Sequence, residues 1–204
     1  MLPPIDDLAR ALGKLPGLGR RSAGRAALAM LREPERLLDP LVDALRAARE
    51  SVVCCARCGS FTVKGADPCS FCTDPARDSS FVCVVEEPSD VVSIESSGAV
   101  RGRYHVLGGR LSAARRIGPD KLRVAELKDR IAREGFSEVL LAVSTDMEGD
   151  ATAGYVAEVL REFPSAAAPV KVTRLAFGLP ADSGVAYSDP LTLKRAIMAR
   201  QSAS

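Results

Sequence analysis

Four cysteines constrain this chain more than any other feature: Cys55-x-x-Cys58 is followed, after ten residues, by Cys69-x-x-Cys72. Each hook puts two thiols on one turn, and two hooks complete a tetrahedral four-thiolate site with Zn–S bonds of about 2.3 Å. Residues 54–79 are rich in Cys, Gly, Asp and Ser and too poor in large apolar groups to bury a core of their own. Bound metal would therefore supply their folding energy. Four thiolates leave no open position for water, so the expected Zn²⁺, one per chain, is structural rather than catalytic. A redox dithiol needs one hook on a helix N-terminus, not two facing hooks. Cys54 has the wrong spacing to Cys58, and Cys83 falls in mid-strand, where a buried core thiol is expected. The opening MLPPIDDLARAL lacks a basic segment followed by an apolar core. Clustered thiols without such a signal indicate a reducing, cytoplasmic setting.

On either side of the cysteines the patterning differs. Upstream, Ile5, Leu8, Ala9 and Leu12 mark one face of a short helix ending at Gly13. An Ala/Leu-rich helix follows from about Arg20 to Leu31, and Pro34 ends it. Asp39-Pro40 reads as N-cap and first-turn proline of a third helix, to about Val53. Downstream of Ser80, strands at 81–85, 104–107, 138–143 and 170–175 alternate with helices at 89–96, 124–133, 151–163 and 190–200, the last capped by Asp189. That alternation predicts a mainly parallel sheet with helices on both faces. The expected fold class is thus multi-part α+β: a helical region at 1–53, a zinc motif at 54–79, an α/β domain at 80–176 and a C-terminal helical segment at 177–204. No apolar run approaches the roughly 20 residues of a membrane span.

The segment LPGLG-RR-SAGR is the first candidate site. Two glycines separated by one apolar residue, between helices, make the hairpin of a helix-hairpin-helix. Gly17 and Gly19 let the backbone approach a phosphate, and the following helix N-terminus offers free N–H groups. Arg21 and Arg25, four residues apart, share a helix face, and Lys14 adds a further phosphate contact. Such binding is sequence-independent and salt-sensitive. The plainer alternative is a helix connection with solvated basic residues.

The second candidate is acidic. Glu86 and Glu87 follow the strand FVCVV, and Asp146, Glu148 and Asp150 follow VLLAV, so all five sit at the carboxyl edge of the predicted sheet. Carboxylates so placed suit Mg²⁺ in phosphoryl-transfer folds. They equally suit a charged helix N-terminus or a docking surface for a basic partner. Net charge is only +2, but it is segregated. Residues 10–32 carry six basic groups and no acid, 101–123 seven basic groups and Asp120, and 134–162 seven acids and Arg161. Separate faces for separate partners are expected from that pattern. A single histidine, His105, excludes multi-histidine metal chemistry and is expected to be packed in a strand. There is no GxxxxGK[ST] phosphate loop.

In order, LPGLGRRSAGR, CARCGSFT, CSFCTDPARD, VCVVEEPSDV, RGRYHVLGG, IGPDKLRVAEL, MEGDATAGYVAEVL and VKVTRLAFGLP resemble the RecR family of bacterial recombination mediators. The resemblance runs from about Leu8 to Arg200. It implies a Toprim domain for the acidic α/β part and a DNA-repair clamp without catalysis of its own. It also implies a ring-shaped homotetramer working with RecO and RecF to place recombinase on gapped or single-stranded DNA. The family's DNA-contacting basic pair falls on Arg21 and Arg25, its zinc ligands on Cys55, Cys58, Cys69 and Cys72. The Toprim acids fall on Glu86, Glu87, Glu148 and Asp150, in the region that docks RecO. Ser144-Thr145-Asp146 stands where the family usually reads Asn-Pro-Thr, which creates an Asp146/Glu148 pair. The rival reading is a small Mg²⁺-dependent Toprim nuclease or primase-like enzyme, against which stand the lack of a tyrosine nucleophile context and of a base beyond the acids.

Overall fold

The structure is a computed structural model that describes residues 2–162, 170–176 and 188–198. Contacts divide the chain into two units, residues 1–52 and 53–204. In the first, α1 (Pro3–Leu12) turns its Ile5, Leu8, Ala9 and Leu12 stripe inward, and Arg10 pairs with Asp6 and Asp7 outside. It packs on α2 (Arg20–Arg32), whose only fully buried residues are Ala23 and Ala27. A single π turn, Pro34–Leu38, then runs straight into α3 (Asp39–Ser51). Asp39 is consequently no N-cap. It is already helical, at φ −62° and ψ −47°, and its N–H is bonded to the Pro34 carbonyl.

From the boundary residue Val52 onward come β1 (Val52–Cys54) and β2 (Phe61–Val63), a two-stranded sheet, and α4 (Ser70–Thr73), which carries Cys72. Next come β3 (Asp78–Val85), α5 (Pro88–Ser97), β4 (Gly102–Val106), α6 (Val124–Glu134), β5 (Glu138–Leu141), α7 (Met147–Arg161), β6 (Lys171–Arg174) and α8 (Pro190–Met198). The four longer strands form one sheet in the order β4-β3-β5-β6, every neighbouring pair parallel.

Side chains of a strand alternate between faces, and β3 divides its core accordingly. Val82 and Val84 pack with Val139 and Leu141 against α6 and α7, through Leu127, Ile131, Ala153 and Val156. Cys83 and Val85 pack with Tyr104 and Val106 against Val91 and Ile94 of α5 and Phe71 of α4. Helices cover both faces, as the alternation predicts. Cys83 is a buried core thiol whose pKa burial pushes up to about 12. His105 is fully buried, its Nε2 on the Arg123 carbonyl at 2.8 Å and its Nδ1 beside Arg130. α7 starts at Met147, a turn earlier than expected, because Asp146 caps it by accepting the Gly149 N–H at 2.8 Å. Asp189 caps α8 by accepting the N–H groups of Leu191 and Thr192. The end of the expected helix at 151–163, the end of that at 190–200, and residues 177–187 and 199–204 of the C-terminal segment lie outside the described residues.

Candidate metal centre, nucleic-acid interface and acidic edge

The two hooks converge. The Sγ atoms of Cys55, Cys58, Cys69 and Cys72 all lie within 4.8 Å of one another, and each residue is at most 2% exposed. Hook geometry follows from the local backbone: the Gly59 N–H returns to the Cys55 carbonyl at 2.8 Å and the Cys72 N–H to the Cys69 carbonyl at 2.9 Å. The Cys69 N–H points at Cys55 Sγ, 3.4 Å away, a donor aimed at sulfur. Hydrogen bonds from Cys58 and Cys72 hold the Cys69 thiol low. The hydrogen bonds with Cys69 and Cys72, together with burial, push Cys58 up. Cys72 rises too, against an opposing hydrogen bond with Cys58, through its contact with Cys69 and its burial. Four thiolates in this space therefore call for a cation. An all-sulfur, buried set of four donors this close together fits Zn²⁺. Cys54 is exposed and stands outside the cluster, as its spacing requires.

Two anchors that sequence reading missed fasten this centre to the larger sheet. On one side, Arg57, inside the first hook, donates to Glu134 at 3.0 Å. Arg103 and Arg130 donate to the same carboxylate at 2.7 and 2.8 Å. Burial opposes ionisation of Glu134, but the hydrogen bonds from Arg130, Arg103 and Arg57 outweigh it and hold its pKa down to about 2. On the other side, Phe71 of the second hook meets Tyr104 edge to face at 5.5 Å. Arg77 stacks over Phe71 at 4.9 Å while pairing with Glu95 at 2.6 Å. No sequence spacing announces these partners.

In the N-terminal unit, Gly17 adopts φ +78°, a left-handed conformation that side-chain-bearing residues avoid. Gly19 does something different. At φ −71° and ψ 162° it is the extended N-cap of α2, and having no side chain it leaves the first-turn N–H groups open. Lys14, Arg20, Arg21 and Arg25 are exposed around that terminus. Among the described residues none of them enters an ion pair. Hairpin, open helix terminus and free basic groups thus lie on one short stretch.

The acidic edge is built by the strand ends. Glu86 follows β3 and is clamped by Ser144, which donates from its N–H at 2.8 Å and its hydroxyl at 3.1 Å. Gly149 allows this approach, because a Cβ there would strike the Ser144 carbonyl. Glu87 lies apart as the N-cap of α5, in a capping box with Asp90. Asp146 and Glu148 converge with Glu86 on one group absent from the sequence-based site, the guanidinium of Arg110, at 2.7, 3.2 and 3.9 Å respectively. The Gly149 N–H and then Arg110 hold the Asp146 carboxyl below its usual range. Asp150 turns the other way, to Arg174 and Arg195, each at 2.7 Å, and these keep its pKa low.

These pairings correct the expectation of single-sign faces. Arg103, Arg110 and Arg123 of the basic run are engaged with Glu134, the acidic edge, and Glu126 with the Ala56 carbonyl. Of the acidic run, Glu134, Asp146 and Glu148 are the other half of these pairs, while Glu138, Asp150 and Glu158 pair with Lys171, with Arg174 and Arg195, and with Arg161. The 10–32 run differs: there only Arg10 is paired, to Asp6 and Asp7.

Comparison with known proteins agrees with the two halves. Residues 5–49 match the family described as RecR, helix-hairpin-helix. Residues 80–176 match the Toprim domain family. The chain is 46% identical over 200 residues to recombination protein RecR of Syntrophobacter fumaroxidans, covering 98% of this chain and 96% of that protein. It is 44% identical over 197 residues to that of Tropheryma whipplei, at 97% and 96% coverage. Against that of Methylocella silvestris the figures are 45% over 198 residues, at 97% and 95% coverage.

Proposed function

Since the chain belongs to the RecR family, we propose that it is a DNA-binding adaptor of recombinational repair, without catalysis of its own. It works in the cytoplasm as a ring-shaped homotetramer, with RecO-like and RecF-like proteins, to help load recombinase on gapped or single-stranded DNA. Residues 1–53 hold the DNA backbone, 54–79 bind structural zinc, 80–176 form the Toprim domain and 177–204 contribute to assembly. Zn²⁺ on Cys55, Cys58, Cys69 and Cys72 keeps the hooks closed.

The observation that carries this reading is the unpaired basic group around the α2 N-terminus. Gly17 shapes the hairpin, no side chain caps the first-turn N–H groups after Gly19, and the exposed Lys14, Arg21 and Arg25 supply the charge. Backbone amides at a helix start together with free cations favour phosphate. The acids Glu86, Glu87, Asp146, Glu148 and Asp150 form the partner-binding edge. Because arginines already cover Asp146, Glu148 and Asp150, a basic partner docks there by exchanging one ion pair for another.

The test is DNA binding by the zinc-loaded protein, followed by fluorescence anisotropy across salt concentrations, with and without the RecO-like partner. Each phosphate contact contributes roughly 0.7 to 0.9 units to the slope of log affinity on log salt. Arg21→Ala/Arg25→Ala is expected to weaken binding and flatten that slope by one to two such contacts. An unchanged slope would place the DNA site elsewhere, and Mg²⁺-dependent nicking by the purified protein would overturn the adaptor reading.

A further inference from the structure

A Toprim domain implies a divalent cation held by carboxylates at the sheet edge, and the residues of this chain do not fit one. Mg²⁺ demands near-octahedral oxygen ligands at about 2.0–2.1 Å. Here each oxygen of the three convergent carboxylates already accepts from the protein or faces a guanidinium. Glu86 takes both Ser144 donors. Asp146 takes the Gly149 N–H on one oxygen and Arg110 Nη1 on the other. Glu148 takes the Ser112 hydroxyl on Oε1, and its Oε2 faces Arg110 Nε at 3.2 Å and Arg115 Nη2 at 3.6 Å.

From this we infer that Arg110 takes the place of the divalent cation, closing the carboxylate cluster to metal and making the edge a charge-neutral lock. The guanidinium's Nη1 and Nε reach Asp146 and Glu148, which come from one side of the cluster, and it also faces Glu86 from the end of β3. One monovalent, planar group thereby bridges the ends of two parallel strands, which is the position a metal bound by all three would occupy. Ser112, two residues on, ties the same loop to Glu148, and the Leu111 N–H donates to the Thr152 hydroxyl of α7 at 2.9 Å. Before it, the Gly108 and Gly109 N–H groups donate to the Glu86 carbonyl at 3.0 and 2.9 Å, so the loop is fastened on both sides of Arg110, and its guanidinium is presented rather than left to sample solvent. The inference is independent of whether the N-terminal unit binds DNA.

The experiment is a Mn²⁺ titration of the zinc-loaded full chain, with free Mn²⁺ read by electron paramagnetic resonance. Arg110→Gln removes the charge and is expected to tighten Mn²⁺ binding at least tenfold over wild type, while Arg110→Lys stays near wild type. The gain is expected to vanish in Arg110→Gln/Glu148→Gln. Equal binding by wild type and Arg110→Gln would overturn the inference. A second arm needs no change at Arg110: in the otherwise wild-type chain, Glu148→Gln should leave the weak Mn²⁺ binding unaltered. A loss of binding there would show that the cluster already holds metal with Arg110 in place, and would overturn the inference by itself.

Discussion

Arg57 Nε lies 3.0 Å from Glu134 Oε1, so the last turn of α6 holds the first cysteine hook from outside the metal centre. The same carboxylate is the counter-charge of Arg130, whose side chain is 1% exposed. Removing one member of a buried ionic network leaves an uncompensated charge and costs about 3–5 kcal/mol. Glu134→Ala is therefore expected to lower the urea midpoint sharply. Arg57→Ala frees only the hook, so it should leave the midpoint nearly unchanged and speed zinc transfer to a competing chelator. Equal effects of the two variants on stability would contradict this division.

The metal centre makes its own prediction through the two cysteines it leaves out. Cys54→Ala and Cys83→Ala should each retain one zinc per chain by elemental analysis, since Cys54 is exposed and Cys83 lies in the sheet core. Replacing Cys55, Cys58, Cys69 or Cys72 with Ser should lose it. Because metal binding there is folding energy, chelation should raise amide exchange across residues 54–79 first. Protection should next fall in β4, whose Val106 N–H bonds the Cys58 carbonyl at 2.7 Å.

Much of this architecture was legible in the sequence, and the reasons are local. The hook spacing depends on single turns, and the alternation of Val82 and Val84 against Cys83 and Val85 depends on strand periodicity alone. The position of Glu86 and Asp146 at the carboxyl edge follows from where two strands end. The expected start of α7 falls a turn late because Asp146 reads equally as ligand or cap, and the structure uses it as a cap. Arg110, Glu134 and the Arg77 stack were not legible. Their partners are distant in sequence, and a run of like charges along a chain says little about a face when strands and loops scatter its members across the fold. Arg103 and Arg110 belong to one basic run yet meet α6 and the α7 terminus respectively.

The hairpin glycines, alike in sequence, should respond differently to substitution. No heavy atom crowds the site of a Cβ at either position. At Gly17, φ +78° makes alanine strained by about 1–2 kcal/mol. Gly17→Ala should thus weaken DNA binding by distorting the turn, with a smaller salt-slope change than loss of Arg21 and Arg25. Gly19→Ala fits its extended conformation and should leave thermal stability within the error of a melt.

His105 gives the fold a pH dependence that its carboxylates alone would not. Burial, reinforced by the charge of Arg130, lowers its pKa from 6.5 to about 3, although the Arg123 carbonyl pulls the other way. The folded state therefore binds the neutral ring, while the unfolded chain takes up a proton below its ordinary pKa. The stability this contributes is present above about pH 6.5 and is lost progressively as pH falls toward 3. Glu134 adds a second loss, from its ordinary 4.5 down to about 2. In zinc-saturated buffer, the melting temperature should begin to fall between pH 6.5 and 5, before the Glu134 window opens. His105→Gln, which keeps a donor for the Arg123 carbonyl, should melt lower at pH 7.5 and lose most of that early slope. A variant whose slope between pH 6.5 and 5 matches wild type would assign the dependence to the metal centre rather than to the histidine.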